Sequence, residues 1–254
     1  MSVIGIVSMK GGVGKTSATA NIAAAMATTL GANRVSVVDL DPQNALHWHF
    51  GLQSTQAAGV CEQSLRGADW RDAMVASEFG VACLPYGTVS EPDREAFESL
   101  LATEPQWVGA QLKRAGLGNN AVVLIDTPPG PSVYLRQVFA CADLVLIVLL
   151  ADAGSYATIP AMESWLGDML KADAHPQSLY VLNQIDRSEI LNRDVAEQLQ
   201  RHLGARLAPI GIHRDEAVGE ALAFQQPVLV YDPHGQASHD LARLATWVID
   251  TLNR

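Results

Sequence analysis

The chain has 254 residues, which is enough for one large α/β domain, residues 1–254, with a sizeable core. Apolar residues make up 48% and charged residues 17% of the sequence, which excludes a disordered chain. The net charge of −10 argues against a generic nucleic-acid-binding surface, although a local basic patch can form within it. The longest apolar run, residues 144–151, is far too short to span a bilayer, so we expect no direct membrane insertion.

The cysteines and the start of the chain both favour a cytoplasmic location. Cys61, Cys83 and Cys141 are widely separated, have no metal-ligand spacing and cannot all pair. Because Cys83 and Cys141 lie in or beside apolar runs, we expect buried thiols in a reducing compartment. The chain enters a predicted strand at once, without the pattern of a signal peptide.

A glycine-rich stretch separates the first predicted strand, residues 3–7, from the first predicted helix, residues 18–30. A glycine loop between a strand and a helix is the setting of a phosphate-binding loop. Glycines let consecutive amides turn inward around an anion, and the helix adds its free N–H groups and the positive end of its dipole. The stretch reads Lys10-Gly11-Gly12-Val13-Gly14-Lys15-Thr16-Ser17.

The side chains of this loop predict which part of a nucleotide each residue contacts. We expect Lys15 to reach the β- and γ-phosphates of ATP, Thr16 to bind Mg²⁺ and Ser17 to donate to an inner phosphate. The alternative is a simple glycine turn flanked by two solvated lysines. The backbone groups that complete the predicted cofactor site belong to Gly11, Gly12, Val13 and Gly14.

Two carboxylates follow the second predicted strand, residues 34–40. Ligands bind at the carboxyl ends of parallel strands, and residues two apart on an extended chain share a face. Asp39 and Asp41 therefore become candidates for the metal site and for orienting the attacking water, respectively. The alternative is a strand that ends in a turn, since Asp41-Pro42 favours turns.

A third carboxylate follows the apolar strand predicted at residues 121–125. An apolar run that ends in Asp is the Walker B pattern, in which the carboxylate holds Mg²⁺ directly or through water. Asp126 is therefore a predicted metal ligand. The Pro128-Pro129-Gly130 segment that follows is similar to a switch segment that senses the γ-phosphate.

The other predicted elements continue to alternate between strands and helices. We expect Trp48, Phe50 and Trp70 to pack a helical segment against the sheet. Pro160 is tolerable only in the first turn of its helix, and Pro209 interrupts the last strand. These strands are residues 81–84, 144–150, 179–182 and 207–212, and these helices are residues 91–117 with a break at Pro105, 156–170, 193–203, a segment up to 224, and 237–252.

Asn183 follows the strand predicted at residues 179–182, and its segment reads Asn183-Gln184-Ile185-Asp186. The spacing approaches the guanine-reading Asn-Lys-x-Asp of GTPases, but Gln184 stands where Lys belongs, so we favour adenine. Asn183 alternatively caps the following turn. The seven histidines have no carboxylate or cysteine framework at metal spacing and are interpreted as structural or surface residues.

Lys10 lies at the start of the loop, where the general pattern begins with Gly, and this makes the motif similar to the deviant Walker A motif of the MinD/ParA class of ATPases. The alternation of strands and helices and the two strands that end in Asp extend the resemblance. It implies an α/β fold, a mostly parallel twisted sheet with helices on both faces, and slow ATP hydrolysis with Mg²⁺. It also implies an ATP-sandwiched homodimer in which Lys10 reaches the partner's nucleotide, and a base contact from Asn183.

A narrower resemblance is to the BcsQ family of bacterial cellulose secretion systems, and it rests on residues 69–73, 212–217 and 226–228 and on the region around Trp247. His213 lies in the second segment and is a candidate nucleotide contact. This resemblance implies a cytoplasmic ATPase that is recruited to the inner-membrane face. Its partners there are the cellulose synthase complex and small cytosolic subunits of the secretion system.

Two other functions of the wider class remain open. A DNA-partitioning ATPase of the ParA type needs a basic surface, which arginines 187, 193, 201, 206 and 214 can supply only if they cluster. A membrane-cycling ATPase of the MinD type needs a basic amphipathic helix at its C-terminus. The predicted last helix instead carries an apolar stripe typical of a core helix, and its other face lacks the lysines and arginines of a membrane-surface helix.

Overall fold

A seven-stranded sheet organises the protein, and we describe it from a computed structural model that covers residues 1–53, 58–169 and 176–253. The strand order is β3-β4-β2-β5-β1-β6-β7, and every neighbouring pair is parallel except β3 with β4. The strands are β1 (Ser2–Val7), β2 (Val35–Asp39), β3 (Val75–Ala76), β4 (Val81–Leu84), β5 (Val122–Asp126), β6 (Leu144–Leu150) and β7 (Gln177–Asn183).

Helices cover both faces of the sheet, as predicted. The alternation along β1 sends Ile4 and Ile6 into one apolar cluster and Val3 and Val7 into the other. The first cluster includes α1 and the last helix, and the second includes the helices between β4 and β6. The helices are α1 (Lys15–Leu30), α2 (Val60–Arg66), α3 (Glu91–Thr103), α4 (Trp107–Arg114), α5 (Val133–Cys141), α6 (Ala153–Met169), α7 (Ile190–Leu203), α8 (Glu216–Ala223), α9 (Val228–Tyr231) and α10 (Gln236–Leu252).

The register of the central strands brings the predicted functional ends together. Asp126 of β5 pairs with Asp39 of β2 on one side and with Ile6 of β1 on the other. The phosphate loop leaves β1 at this same edge and runs into α1. The carboxylates and the glycine loop therefore meet at the carboxyl edge of the sheet, where parallel α/β sheets bind ligands.

The strand predicted at residues 207–212 is wrong. The segment bonds to β7 at its two ends, through an isolated bridge between Tyr180 and Leu207 and through the Ile212 amide, which donates to the carbonyl of Leu182 at 2.9 Å. A second isolated bridge joins Ile185 to His213. Pro209 lies between these points and has no N–H to donate, which explains why no continuous ladder forms. The short antiparallel strand β3 was not predicted, because two residues carry too little alternation to detect.

Two other expectations about local structure need correction. Helix α6 begins at Ala153, so Pro160 lies in its third turn rather than its first; residue 170, the predicted end, lies outside the described residues. Phe50 and Trp70 are buried as expected, whereas Trp48 is 40% exposed and does not belong to the core.

The cysteines and the last helix agree with their predicted roles in large part. Cys61 and Cys83 are buried and Cys141 is half-buried, and all three are free thiols. Helix α10 buries Leu241, whose stripe packs against α1 as part of the first apolar cluster. Within the described ranges, no helix has both the length and the apolar character that crossing a membrane requires.

Candidate functional site

The phosphate loop depends on glycine at two positions where the backbone is left-handed. Gly12 has φ 75° and Gly14 has φ 83°, and Gly14 caps the start of α1. The side-chain amide of Asn183 donates to the carbonyl of Val13 at 2.8 Å, so it lies directly against the loop. A Cβ atom added to Gly14 would lie 2.5 Å from Asn183 Nδ2, so a larger residue there would have to displace the Asn183 side chain.

Lys15 is held in the interior of the site rather than at the surface. It is only 6% exposed. Burial lowers its pKa, while the carboxylates of Asp126 and Asp41 oppose that shift by favouring the charged amine. The ammonium group therefore lies near the carboxylates of Asp126 and Asp41, which favour its charged form in a buried position.

Thr16 and Asp126 place a hydroxyl and a carboxylate, two possible Mg²⁺ ligands, next to each other at the phosphate loop. The Thr16 hydroxyl donates to Asp126 Oδ2 at 2.6 Å, and Thr19 donates to Asp126 Oδ1 at 3.3 Å. Burial raises the pKa of Asp126 to about 6, against the opposing effects of the Thr16 hydrogen bond and the Lys15 charge. A buried carboxylate next to a hydroxyl fits Mg²⁺, which prefers oxygen ligands and completes its shell with phosphates and water.

The described ranges contain no cluster of three or more His, Cys, Asp or Glu side chains that could hold a metal ion alone.

Asp39 is engaged by the backbone on both of its oxygens. Its Oδ1 accepts from the amide of Asp41 at 2.9 Å, and its Oδ2 accepts from the amide of Leu46 at 3.1 Å. The side chain is fully buried, and burial raises its pKa well above the usual range, with the Asp126 charge acting in the same direction. Asp39 therefore holds the turn after β2 through both of its oxygens, and its predicted contact with the metal stays a prediction.

Asp41 begins the turn that Asp39 anchors. Its Oδ1 accepts from the amide of Gln43 at 2.9 Å, and its carbonyl accepts from the amide of Asn44 at 2.8 Å. It is buried, with an exposed fraction of 8% against 0% for Asp39. Both carboxylates therefore belong to the buried turn that follows β2.

Lys10 extends away from the other loop side chains. Its ammonium group forms a salt bridge with Asp152 at 2.7 Å, and both side chains are 39% exposed. The segment after β5 lies against the loop, because the amide of Gly130 donates to the carbonyl of Ser8 at 2.8 Å. The predicted switch segment therefore contacts the phosphate loop directly.

A cavity of about 590 Å³ opens beside the loop, at the ends of α1 and β7. Asn183 and His213, both predicted from sequence, line it. The ring of His213 is oriented by Asp240, whose Oδ2 lies 2.7 Å from Nδ1 and also accepts from the His213 amide at 3.0 Å. Asp186 does not line the cavity, and the amide and hydroxyl of Ser188 both bind its Oδ1, so a guanine-reading carboxylate is not presented.

Asn21 and Asp240 are contributors that the sequence reading missed. Asn21 lines the same cavity, accepts from the Val228 amide at 2.7 Å and donates to the Ser17 carbonyl at 2.8 Å. Asn21 is a polar residue in an alanine-rich helix, one turn after the loop, and this position could have predicted a role next to the loop. Asp240 lies on α10, and nothing in its local sequence links it to His213.

Comparison with known proteins places this site in a family. The sequence profile of the family described as "Cellulose biosynthesis protein BcsQ" matches residues 1–249. The chain belongs to the BcsQ family. The cellulose biosynthesis protein BcsQ of Salmonella typhimurium is 31% identical over 252 residues, which cover 98% of this chain and 94% of that protein.

The wider resemblance extends from BcsQ to the MinD/ParA ATPases. The chromosome partitioning protein ParA of Caulobacter vibrioides is 28% identical over 255 residues, covering 98% of this chain and 94% of that protein. The septum site-determining protein MinD of Pyrococcus horikoshii, complexed with Mg-ADP, superposes with a TM-score of 0.78 at 25% identity, covering 97% and 95% of the two chains. This member of the BcsQ family therefore has the fold of MinD/ParA P-loop ATPases.

Proposed function

We propose that this protein is an ATPase that binds Mg-ATP at the phosphate loop and hydrolyses it slowly. The observation that carries the proposal is the hydrogen bond of 2.6 Å between the half-buried Thr16 and the buried Asp126, close to Lys15 and next to a loop with two left-handed glycines. The Mg-ADP bound by the MinD of Pyrococcus horikoshii supports the same class of ligand. Thr16 and Asp126 hold Mg²⁺, which neutralises charge on the phosphate oxygens when it is bound.

The chain's own residues act by positioning and by charge, which dominate catalysis of phosphoryl transfer. Lys15 and the amides of the loop bind the β- and γ-phosphates. Asp41 orients the attacking water, and Asp39 positions Asp41 by accepting its backbone amide. The base lies in the cavity next to the loop, where Asn183 and His213 contact it.

We propose two kinds of partner: a second copy of this chain, argued from Lys10, and proteins of the cellulose system, argued from the BcsQ family. We place Lys10 at the nucleotide of a second copy in an ATP-dependent homodimer, which requires it to leave Asp152. The BcsQ relatives carry the name of cellulose biosynthesis. The proposed partners are accordingly the inner-membrane cellulose synthase complex and small cytosolic subunits, with the protein in the cytoplasm and recruited to the inner-membrane face.

Equilibrium binding of a fluorescent ATP analogue with Mg²⁺ tests the nucleotide site. Lys15→Ala should weaken binding by about tenfold or more, because a charge-assisted contact to phosphate is lost. Lys113→Ala, which removes an exposed lysine from α4, is the matched control and should bind like the wild type. Equal affinity of Lys15→Ala and the wild type would contradict the proposal.

A DNA-partitioning role is the second candidate, favoured by the full-length similarity to ParA. The arginines that it needs are partly engaged, since Arg206 pairs with Glu163 at 2.7 Å and Arg201 lies 3.7 Å from Glu197. An ATP-dependent shift of duplex DNA that weakens steeply with salt would favour partitioning over cellulose secretion.

A further inference from the structure

The ring of His213 lies between a buried carboxylate and the cavity beside the phosphate loop. His213 lines that cavity, and Asp240 of α10 lies behind its ring, with Oδ2 2.7 Å from Nδ1. The Asp240 side chain is 4% exposed and the His213 side chain is 22% exposed. The contact between them is therefore made in the interior, while part of the imidazole stays accessible.

Asp240 determines which nitrogen of this ring carries the proton. Its Oδ1 accepts from Gln236 Nε2 at 2.9 Å, and its Oδ2 accepts from the backbone amide of His213 at 3.0 Å. A carboxylate has no hydrogen to donate, so the Nδ1 that faces it must be the N–H of the ring. In the neutral imidazole the other nitrogen, Nε2, is then an acceptor.

This acceptor nitrogen is available to a ligand. Within residues 1–53, 58–169 and 176–253, His213 Nε2 makes no hydrogen bond, and it does not belong to the buried polar atoms that lack a partner. It is therefore accessible, and the ring lines the cavity. A molecule bound there meets a hydrogen-bond acceptor.

Asn183 contributes a second acceptor to the same cavity. Its Nδ2 donates to the carbonyl of Val13 at 2.8 Å, which fixes the orientation of the carboxamide, because its oxygen would be repelled by that carbonyl. The Oδ1 atom has no partner in the part of the chain that the structure describes, and it too is absent from the buried unsatisfied atoms. Asn183 thus presents its carbonyl oxygen to a ligand.

The backbone wall at residues 212–214 adds no donor. Each of its three amides already donates, to the carbonyls of Leu182 and Ile185, both at 2.9 Å, and to the carboxylate of Asp240 at 3.0 Å. An incoming base with a carbonyl oxygen cannot bond to these amides without breaking an existing hydrogen bond.

The charge of the cavity lining favours the same kind of ligand atom. The charged residues that line it are Asp215, Glu216, Glu220 and Arg214. With His213 neutral the lining is net acidic, which favours a hydrogen-bond donor over a carbonyl oxygen. Arg214 and Gln184 also line the cavity and can donate, but both are exposed, so water competes with a ligand for them.

We propose that His213, held by Asp240 in the tautomer with an acceptor at Nε2, selects adenine together with Asn183 by accepting hydrogen bonds from the 6-amino group of the base. Asp240 acts through His213 and is a positioning residue. Guanine and hypoxanthine have a carbonyl oxygen at this position, which would face acceptors. The inference rests on the proposed function, because the base enters this cavity only if the phosphates bind at the loop.

The test compares the affinities of ADP and inosine diphosphate, both with Mg²⁺. Inosine diphosphate has a carbonyl oxygen in place of the 6-amino group and a hydrogen on N1, and it keeps the sugar and phosphates. The wild type should bind ADP more tightly by about tenfold or more, because the carbonyl leaves the acceptors unpaired. Calorimetry at about pH 8.5, where histidine is ordinarily neutral, measures both affinities.

His213→Asn is the informative variant, because asparagine can keep the hydrogen bond to Asp240 but has no group in the place of Nε2. It should lower the ratio of the two affinities by about fivefold or more, mainly by weakening ADP. His239→Asn is the matched control, since this exposed histidine of α10 does not line the cavity, and its ratio should equal that of the wild type.

The role of Asp240 has a spectroscopic readout that needs no nucleotide. In the chain labelled with ¹⁵N-histidine, His213 should show a protonated Nδ1 and an unprotonated Nε2. Asp240→Asn offers an amide that can donate to Nδ1, so the opposite tautomer should appear and the preference for ADP should fall. Asp250→Asn, on the exposed side of α10, should change neither. A merely structural Asp240 would lower stability and leave the tautomer and the ratio unchanged.

Three results would overturn the proposal: equal affinities of the wild type for the two nucleotides, an unchanged ratio in His213→Asn, or a protonated Nε2 in the wild type. Equal binding of both nucleotides that Lys15→Ala weakens would leave the proposed ATP site standing. Failure of the wild type to bind either nucleotide would reject the proposed function and this inference together. If Asp240→Asn does not fold, His213→Asn and the wild-type spectrum still decide.

Discussion

Asp126 carries its charge in a buried position, and this lowers the stability of the folded protein at neutral pH. Its pKa in the folded chain is about 6, against an ordinary value of 3.8. The folded state therefore binds the proton more tightly than the unfolded state, so stability falls as pH rises between these two values. Mg²⁺ and phosphates would offset this cost on binding.

Asp126→Asn should stabilise the nucleotide-free protein at pH 7 by roughly 1–3 kcal/mol, since the buried charge is removed. The difference should shrink as pH falls and approach zero by about pH 3, where the wild-type carboxyl is mostly protonated in both states. Urea unfolding of both proteins across this range measures it. A variant that is less stable than the wild type by a constant amount at every pH would show that its hydrogen bonds to Thr16 and Thr19 dominate instead.

Asp41 allows binding and hydrolysis to be separated at one residue. Asp41→Asn keeps a similar shape and should leave Mg-ATP bound while lowering turnover by about 100-fold or more, as loss of a group that orients or deprotonates water does. Phosphate release and fluorescent-ATP binding together check both halves. Asp186→Asn, on the turn after β7, serves as the control, and unchanged turnover in Asp41→Asn removes Asp41 from the mechanism.

At the scale of elements, the junction between the phosphate loop and α1 is the most constrained point. Gly12 and Gly14 both have positive φ, but a Cβ on Gly12 would meet nothing within 4 Å, whereas on Gly14 it would meet Asn183. Comparison of the two positions therefore separates backbone strain from a steric clash.

Gly12→Ala should cost about 1–3 kcal/mol of unfolding free energy through backbone strain alone. Gly14→Ala should cost more, because the clash with Asn183 is added, and Asn183→Ala in the same chain should recover part of the loss. Denaturant unfolding of the three variants measures these differences. Equal losses at Gly12 and Gly14 would mean that Asn183 moves aside freely.

At the scale of the whole molecule, the exposed Lys10 at the phosphate loop is relevant to the proposed homodimer. Light scattering with Mg²⁺ and a non-hydrolysable ATP analogue should show twice the monomer mass, because the bound phosphates complete the interface of the proposed dimer. Lys15→Ala, which binds little nucleotide, should stay monomeric under the same conditions. A monomer mass for the wild type with and without the analogue would exclude the sandwich dimer.

Much of the fold was predictable because its signals are local. The near-continuous apolar runs of β1, β5 and β6 are typical of buried parallel strands. The phosphate-loop motif is contained in eight consecutive residues, 10–17, so it can be identified without the tertiary structure. The failures were elements whose state depends on neighbours. Residues 207–212 have strand-like composition, but whether they join β7 depends on the hydrogen bonds that Pro209 cannot make.

The sequence by itself determined the class of protein, the phosphate loop and the strand ends that carry Asp39, Asp41 and Asp126, because each is encoded within a few adjacent residues. Only the tertiary structure showed how the two carboxylates after β2 are held, since both oxygens of Asp39 accept backbone amides and one oxygen of Asp41 accepts the amide of Gln43. It also showed the pairing of His213 with Asp240. Those two residues lie far apart in the chain, and no local pattern records a contact of that kind.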